Sequence, residues 1–269
     1  MTNYRVDTLE LGTFTTESGE TINNLKLRYE HVGYKGQPLV VVCHALTGNH
    51  LTYGTDEKHG WWREIIDGGY IPRHDYQFLT FNVIGSPFGS SSKLNDPNFP
   101  QHLTLRDIVK AIEKGIKALD FDKINILIGA SLGGMQAMEL LYNNQFQIDK
   151  AIILAATGKT SSYSRAFNEI ARQAIHLGGK EGLSIARQLG FLTYRSSKSY
   201  DQRFTPDEVV TYQQYQGNKF KKNFDLQCYL TLLDVLDSHN IDRGRDDVDE
   251  VYQSIHRKVE KMGFIQYLL

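Results

Sequence analysis

Cysteine is scarce in this chain of 269 residues. It has two, Cys43 and Cys228, with no metal-ligand or redox spacing between them. A disulfide scaffold, a zinc ribbon and a C-x-x-C redox centre are thereby excluded. Both thiols read as reduced core residues, and a cytoplasmic location is the expectation. An excess of charge of one sign is also missing: 30 Lys and Arg stand against 31 Asp and Glu, a net charge of −1 with histidine neutral. That balance excludes a broad electrostatic footprint for nucleic acid or a membrane surface. No apolar run approaches the ~18 residues of a membrane span. The opening MTNYRVDTLELG lacks a basic segment followed by an apolar one, so no signal peptide is expected. Repeats and low-complexity tracts are absent too, and neither a metal nor a resident cofactor is expected.

What is present is ordinary globular composition, 41% hydrophobic and 23% charged, enough for one large α/β domain or a domain plus a subdomain. The organising stretch is Ile124–Gly134, INILIGASLGG. Ile124–Ile128 reads as a buried parallel strand. Gly129-Ala130-Ser131-Leu132-Gly133 matches G-x-S-x-G, and a helical run with Met135, Met138 and Leu141 follows. Strand, sharp turn and helix together make the context of a nucleophile elbow. Small flanking residues let strand and helix approach, and the Ser131 hydroxyl is expected at the carboxyl edge of a sheet. The helix behind it offers free N–H groups.

Thr8–Phe14 and Asn24–Val32 alternate apolar and polar residues and predict an antiparallel strand pair turning at Ser18-Gly19. Leu39–Cys43, LVVVC, predicts a central strand whose following loop, His44 to Asn49, lies where open α/β sheets carry function. A short helix is expected from Gly60 to Ile66, a strand over Phe78–Asn82, and a Gly/Ser loop over Asn82–Ser92 that lacks a Gly-Lys-Ser/Thr phosphate signature. Thr104 and Asp107 predict a capped helix with Ile108, Ile112 and Ile116 on one face. A strand over Ala151–Ala155 completes an alternation that argues for a mostly parallel sheet with an antiparallel start. After it the character changes. Helices are expected over Ser164–Leu177, Gly182–Leu189, Pro206–Phe220, Leu226–Ser238 and Val248–Val259, then a returning strand over Val259–Ile265. The expected division is a core over 1–159, a helical lid over 160–257, and the returning core strand over 258–269.

A serine hydroxyl needs a base to take its proton and donors for the oxyanion. The backbone N–H of Leu132 and, in the loop after Leu39–Cys43, that of Leu46 are the expected donors. In this architecture the base follows the nucleophile, and His176, His239 and His256 are the histidines after Ser131. All three fall in the helical region. His44 precedes the elbow and is expected to play a structural part beside the loop.

Several segments in order resemble the α/β-hydrolase-fold homoserine O-acyltransferases. These are Cys43-His44-Ala45-Leu46-Thr47-Gly48, Asn82-Val83-Ile84-Gly85 with Gly89-Ser90-Ser91, Phe99-Pro100 with Thr104 and Asp107, the elbow Gly129 to Ala137, Arg172-Gln173-Ala174-Ile175, and Tyr229-Leu230 with Leu236 to Arg245. The resemblance implies an α/β-hydrolase fold with an inserted helical lid. It also implies ping-pong acyl transfer, in methionine biosynthesis, from acetyl-CoA through Ser131 to the hydroxyl of L-homoserine. Leu46 and Leu132 would form the oxyanion hole, and Arg172, at the position of the family's substrate arginine, would bind the amino-acid carboxylate. Tyr229 and Asp237 are secondary substrate-binding candidates. Acetyl-CoA would be a substrate rather than a cofactor, and a lid-to-lid homodimer is implied.

The resemblance further implies a triad aspartate at the end of the returning strand, then a Gly-His-Asp segment carrying the base and a closing helix. Gln266 and Tyr267 stand where the aspartate is expected. The expectation is a C-terminally truncated member, without the last strand and closing helix and with impaired activity. A related serine O-acyltransferase or esterase, and a non-catalytic remnant binding CoA or a partner, remain as alternatives. Nothing separates acetyl from succinyl donors.

Overall fold

The computed structural model describes residues 3–245, 247–259 and 261–265. Gln266 and Tyr267, where the sequence departs from the expected aspartate, lie outside the described residues. The core sheet is built from β1 (Tyr4–Glu10), β4 (Lys26–Val32), β5 (Leu39–Cys43), β6 (Gln77–Phe81), β7 (Lys123–Ala130), β8 (Gln147–Leu154) and β9 (Lys261–Ile265), while β2 (Phe14–Thr15) and β3 (Thr21–Ile22) form a separate hairpin. The order across the seven-stranded sheet is β1-β4-β6-β5-β7-β8-β9. Pairing is antiparallel from β1 to β4 and β4 to β6, and parallel from β6 through β5, β7 and β8 to β9. The mostly parallel sheet with an antiparallel start expected from the alternation is observed, and it has the α/β-hydrolase architecture that the resemblance implies.

The first strand differs from expectation. Tyr4 to Glu10 pairs with Val32 to Lys26, while Ser18-Gly19 closes the small hairpin of β2 and β3. Two short alternating runs in succession read as one strand because the break between them, at Gly12, carries no apolar signal. Gly12 takes a left-handed φ of 65° there.

The central strands β5 and β6 are buried at every position. β5 reads as a continuous apolar run because both its faces are covered. On one face lie α2 (Leu105–Ala118) and α3 (Leu132–Asn143). The capping box of α2 is realised: Thr104 accepts from the Asp107 N–H, and the Asp107 carboxylate accepts from the Thr104 N–H. Ile108, Ile112 and Ile116 are buried against the sheet, each stabilising by about 1.5–3 kcal/mol over exposure. The other face carries a smaller cluster with Val40, Val42, Phe78 and Ile66 of α1 (Arg63–Asp67). Cys43 and Cys228 are buried and unpaired.

Between β8 and β9 the chain is helical: α4 (Ser162–Leu192), α5 (Ser197–Arg203), α6 (Pro206–Asn223), α7 (Leu226–Ser238) and α8 (Val248–Arg257). The two helices expected over 164–189 run together as α4, broken by Gly179 at φ 54°, ψ −122°. The chain folds back so tightly that a Cβ on Gly182 would sit 1.8 Å from the Ala174 carbonyl oxygen. Sequence periodicity missed α5, which buries no residue and so has no apolar stripe. The segment joining α7 to α8 is pinned to α3 through Glu139, which pairs with Arg106 at 3.4 Å and Arg245 at 2.5 Å. Among the described residues no helix is long and apolar enough to cross a membrane.

Candidate active site

β7 is central in the sheet, with β5 on one side and β8 on the other. The turn from β7 into α3 falls on Ser131, which has φ 55° and ψ −122°. For a residue with a side chain this conformation is strained by roughly 1–3 kcal/mol. The flanking glycines explain how the turn closes. A Cβ on Gly129 would lie 2.1 Å from the Gly133 carbonyl oxygen, and one on Gly133 would lie 2.0 Å from the Cys43 carbonyl oxygen. Ser131 is exposed, and its hydroxyl has no hydrogen-bond partner among the described residues.

Two backbone donors lie close in the fold. Leu132 is the first residue of α3, so its N–H has no intrahelical acceptor. Leu46 sits in the turn after β5, where Gly48 N–H closes back onto the Ala45 carbonyl at 2.9 Å. The Leu46 N–H is unclaimed among the described residues. Gly133 packing against Cys43 holds the two segments together.

No described histidine is bonded to Ser131. His44 is fully buried with both ring nitrogens in use, Nδ1 on the Ala45 carbonyl at 2.8 Å and Nε2 on the Val83 N–H at 3.0 Å. His239 is buried with Nε2 on the Thr157 carbonyl at 2.9 Å. Burial pushes the pKa of each down to about 4, as it does for His50. His176 and His256 are exposed on α4 and α8. The Gly/Ser loop turns its hydroxyls inward: Ser90 Oγ donates to the Asn82 carbonyl at 2.6 Å and accepts from Arg28 N–H, and Ser91 Oγ accepts from Lys26 N–H. It is a brace for β4.

The helical insertion supplies two arginines of different character. The Arg172 guanidinium is shared among Glu169, Asp234 and Asp237, and Asn168 donates to Asp237 at 2.7 Å. Arg172 and Asp237 are thus brought together, as partners of one another. Tyr229 is buried, edge-on to Phe220 at 5.5 Å, and burial raises its hydroxyl pKa. Arg187, overlooked by sequence reasoning, reaches the loop after β5. Its Nη1 lies 3.4 Å from Thr47 Oγ1 and 3.4 Å from the Tyr194 hydroxyl. The guanidinium stacks on Phe191 at 4.5 Å and Phe220 at 4.9 Å, and no described carboxylate pairs with it. Only tertiary proximity distinguishes it from Arg172.

A family profile described as the alpha/beta hydrolase fold matches residues 38–177, the segment holding Leu46, Ser131, Leu132 and Arg172. A homoserine O-acetyltransferase of Thermus thermophilus is 32% identical, over 90% of this chain and 73% of its own length. The chain belongs to the homoserine O-acetyltransferase family of α/β hydrolases. A crystal structure of homoserine O-acetyltransferase from Staphylococcus aureus superimposes with a TM-score of 0.92 at 81% identity, covering 97% of this chain and 79% of that one. An acetylester hydrolase from Corynebacterium glutamicum, at 16% identity, shares the fold alone, with a TM-score of 0.76 over 98% of this chain and 88% of that one. Membership of the homoserine O-acetyltransferase family makes this chain an acyltransferase in type.

Proposed function

We propose that this chain transfers the acetyl group of acetyl-CoA to the hydroxyl of L-homoserine by a ping-pong route, a step of methionine biosynthesis. The observation that carries this is Ser131, exposed at φ 55° at the turn into α3, with the N–H of Leu132 at the start of that helix and that of Leu46 in the loop after β5 unclaimed among the described residues. Ser131 Oγ would attack the thioester carbonyl. The oxyanion would rest on the two N–H groups, the C–S bond would break, and CoA would leave as the thiol with the serine proton. The homoserine hydroxyl would then take the acetyl group and return a proton to Ser131.

Arg187 suits the amino-acid carboxylate, since its planar fork binds two oxygens and carries no described counter-ion. Arg172 and Asp237 then brace α4 against α7, while Tyr229 packs on Phe220, whose ring also carries Arg187. The helical insertion would act as a lid that favours the alcohol over water. Among the described residues nothing takes the Ser131 proton. Exposed Leu177, Ile170, Ile185 and Leu192 on α4 support a homodimer through the insertion. The two buried, unpaired cysteines suit a cytoplasmic enzyme.

The test is CoA release from acetyl-CoA with and without homoserine, with intact-protein mass spectrometry. A Ser131-dependent acetyl adduct that homoserine discharges is expected. Labelling that survives Ser131→Ala would overturn the nucleophile, and discharge indifferent to homoserine would point to an esterase.

A further inference from the structure

We propose that His44 is a positioning residue that aims the Leu46 N–H at the oxyanion, acting through the peptide that joins Ala45 to Leu46. This rests on the reading of Ser131 as the acylated nucleophile.

The argument begins with the ring. The Val83 backbone N–H can only donate, so Nε2 at 3.0 Å must present a lone pair. In a neutral imidazole the hydrogen then sits on Nδ1, which donates to the Ala45 carbonyl at 2.8 Å. The ring is fully buried, and its pKa of about 4 keeps it uncharged at neutral pH. A proton on Nε2 would set two donors head to head.

The second link is covalent. The Ala45 carbonyl and the Leu46 N–H belong to one planar trans peptide and point in opposite directions. Gripping the carbonyl therefore fixes where the N–H aims. The grip is double, since the Gly48 N–H also donates to the Ala45 carbonyl at 2.9 Å. Gly48 alone would hold the carbonyl only from within the same turn. His44 adds an anchor outside the turn, the Val83 amide just beyond β6.

A third link ties this peptide to the nucleophile. Gln136 of α3 donates its side-chain amide to the His44 carbonyl at 3.2 Å. Gln136 is buried a little more than one turn beyond Ser131. The Leu132 donor belongs to α3 and the Leu46 donor to the loop, so His44 and Gln136 register one donor against the other.

The experiment uses the full chain and three readouts. The first is acetylation of Ser131 by an activated acetyl ester, corrected for the Ser131→Ala background. His44→Ala should slow the maximal rate ~10²–10³-fold, the loss expected when one oxyanion donor is removed, with half-saturation unchanged. His44→Asn, whose amide can replace the Nδ1 donor, should recover most of that rate. The second is a crystal structure of His44→Ala, in which the Ala45–Leu46 peptide should turn or become disordered. The third is the ¹⁵N spectrum of histidine-labelled wild type, in which Nε2 of His44 should be unprotonated at pH 7. An unchanged peptide, an unchanged acetylation rate in His44→Ala, or an Nε2–H or charged ring overturns the proposal. If wild-type Ser131 takes no acetyl group, the nucleophile reading fails, while the crystal and nitrogen readouts still decide the role of His44.

Discussion

Gly129 and Gly133 have ordinary negative φ values, so they are needed for space and not for backbone freedom. Each would drive a Cβ to about 2 Å from a backbone carbonyl oxygen that cannot move without parting β7, α3 and β5. Gly129→Ala and Gly133→Ala should each destabilise by several kcal/mol, beyond the usual range for a surface change, as measured by urea unfolding. Gly12→Ala is the contrast: nothing lies within 4 Å of its Cβ, and only its φ of 65° resists. Its loss should be near ~1 kcal/mol. Equal losses at Gly12 and Gly133 would mean that packing at the elbow is looser than described.

Helix α4 carries both arginines, and they should fail differently. Arg172 lies between Asp234 and a nearly buried Asp237. Arg172→Ala should lower stability by leaving Asp237 uncompensated, with little effect on homoserine use. Arg187→Ala should raise the homoserine concentration needed to discharge acetyl-Ser131 by ~10–100-fold, the worth of a hydrogen-bonded charge pair. The reverse pattern would return the carboxylate to Arg172. Glu139 supplies another test of an element. Its side chain is 1% exposed between Arg106 and Arg245. Glu139→Ala strands two cations against α3 and should destabilise by ~3–5 kcal/mol, read by thermal or urea unfolding.

Across the whole molecule, three buried histidines make stability depend on pH. His44, His50 and His239 have their pKa lowered from 6.5 to about 4, burial being the main cause. Between those values the unfolded chain binds more protons than the folded one. Stability is therefore full above pH 6.5 and falls as pH drops towards 4. Burial raises the pKa of Glu30, Asp107 and Glu113, which has the opposite sign and offsets part of the loss at the acid end. Urea midpoints at pH 7.5 and 5.5 should show the acid sample less stable. A flat profile would mean that these rings are charged or solvated in the folded state.

The elbow was legible because its requirements are local. A buried strand, two glycines around a serine and a helical run are neighbours in the chain, and one steric argument joins them. The capping box at Thr104 and the helix Leu226–Ser238 were legible for the same reason. The split of the first strand and the short helix α5 were not, since neither carries an apolar period. Composition and periodicity thus determined the parallel sheet, the position of Ser131 and the helical region after Ala156, because hydrophobic pattern and turn sterics act over a few residues. Tertiary structure alone decided what each of these polar side chains is paired with. Arg172 and Arg187 are indistinguishable as arginines on a helix, and His44 is one histidine among nine. Carboxylates beside the first, the loop after β5 beside the second, and two backbone groups around the ring of the third separate them. Those partners lie far along the chain, and only the folded packing brings them within hydrogen-bonding distance.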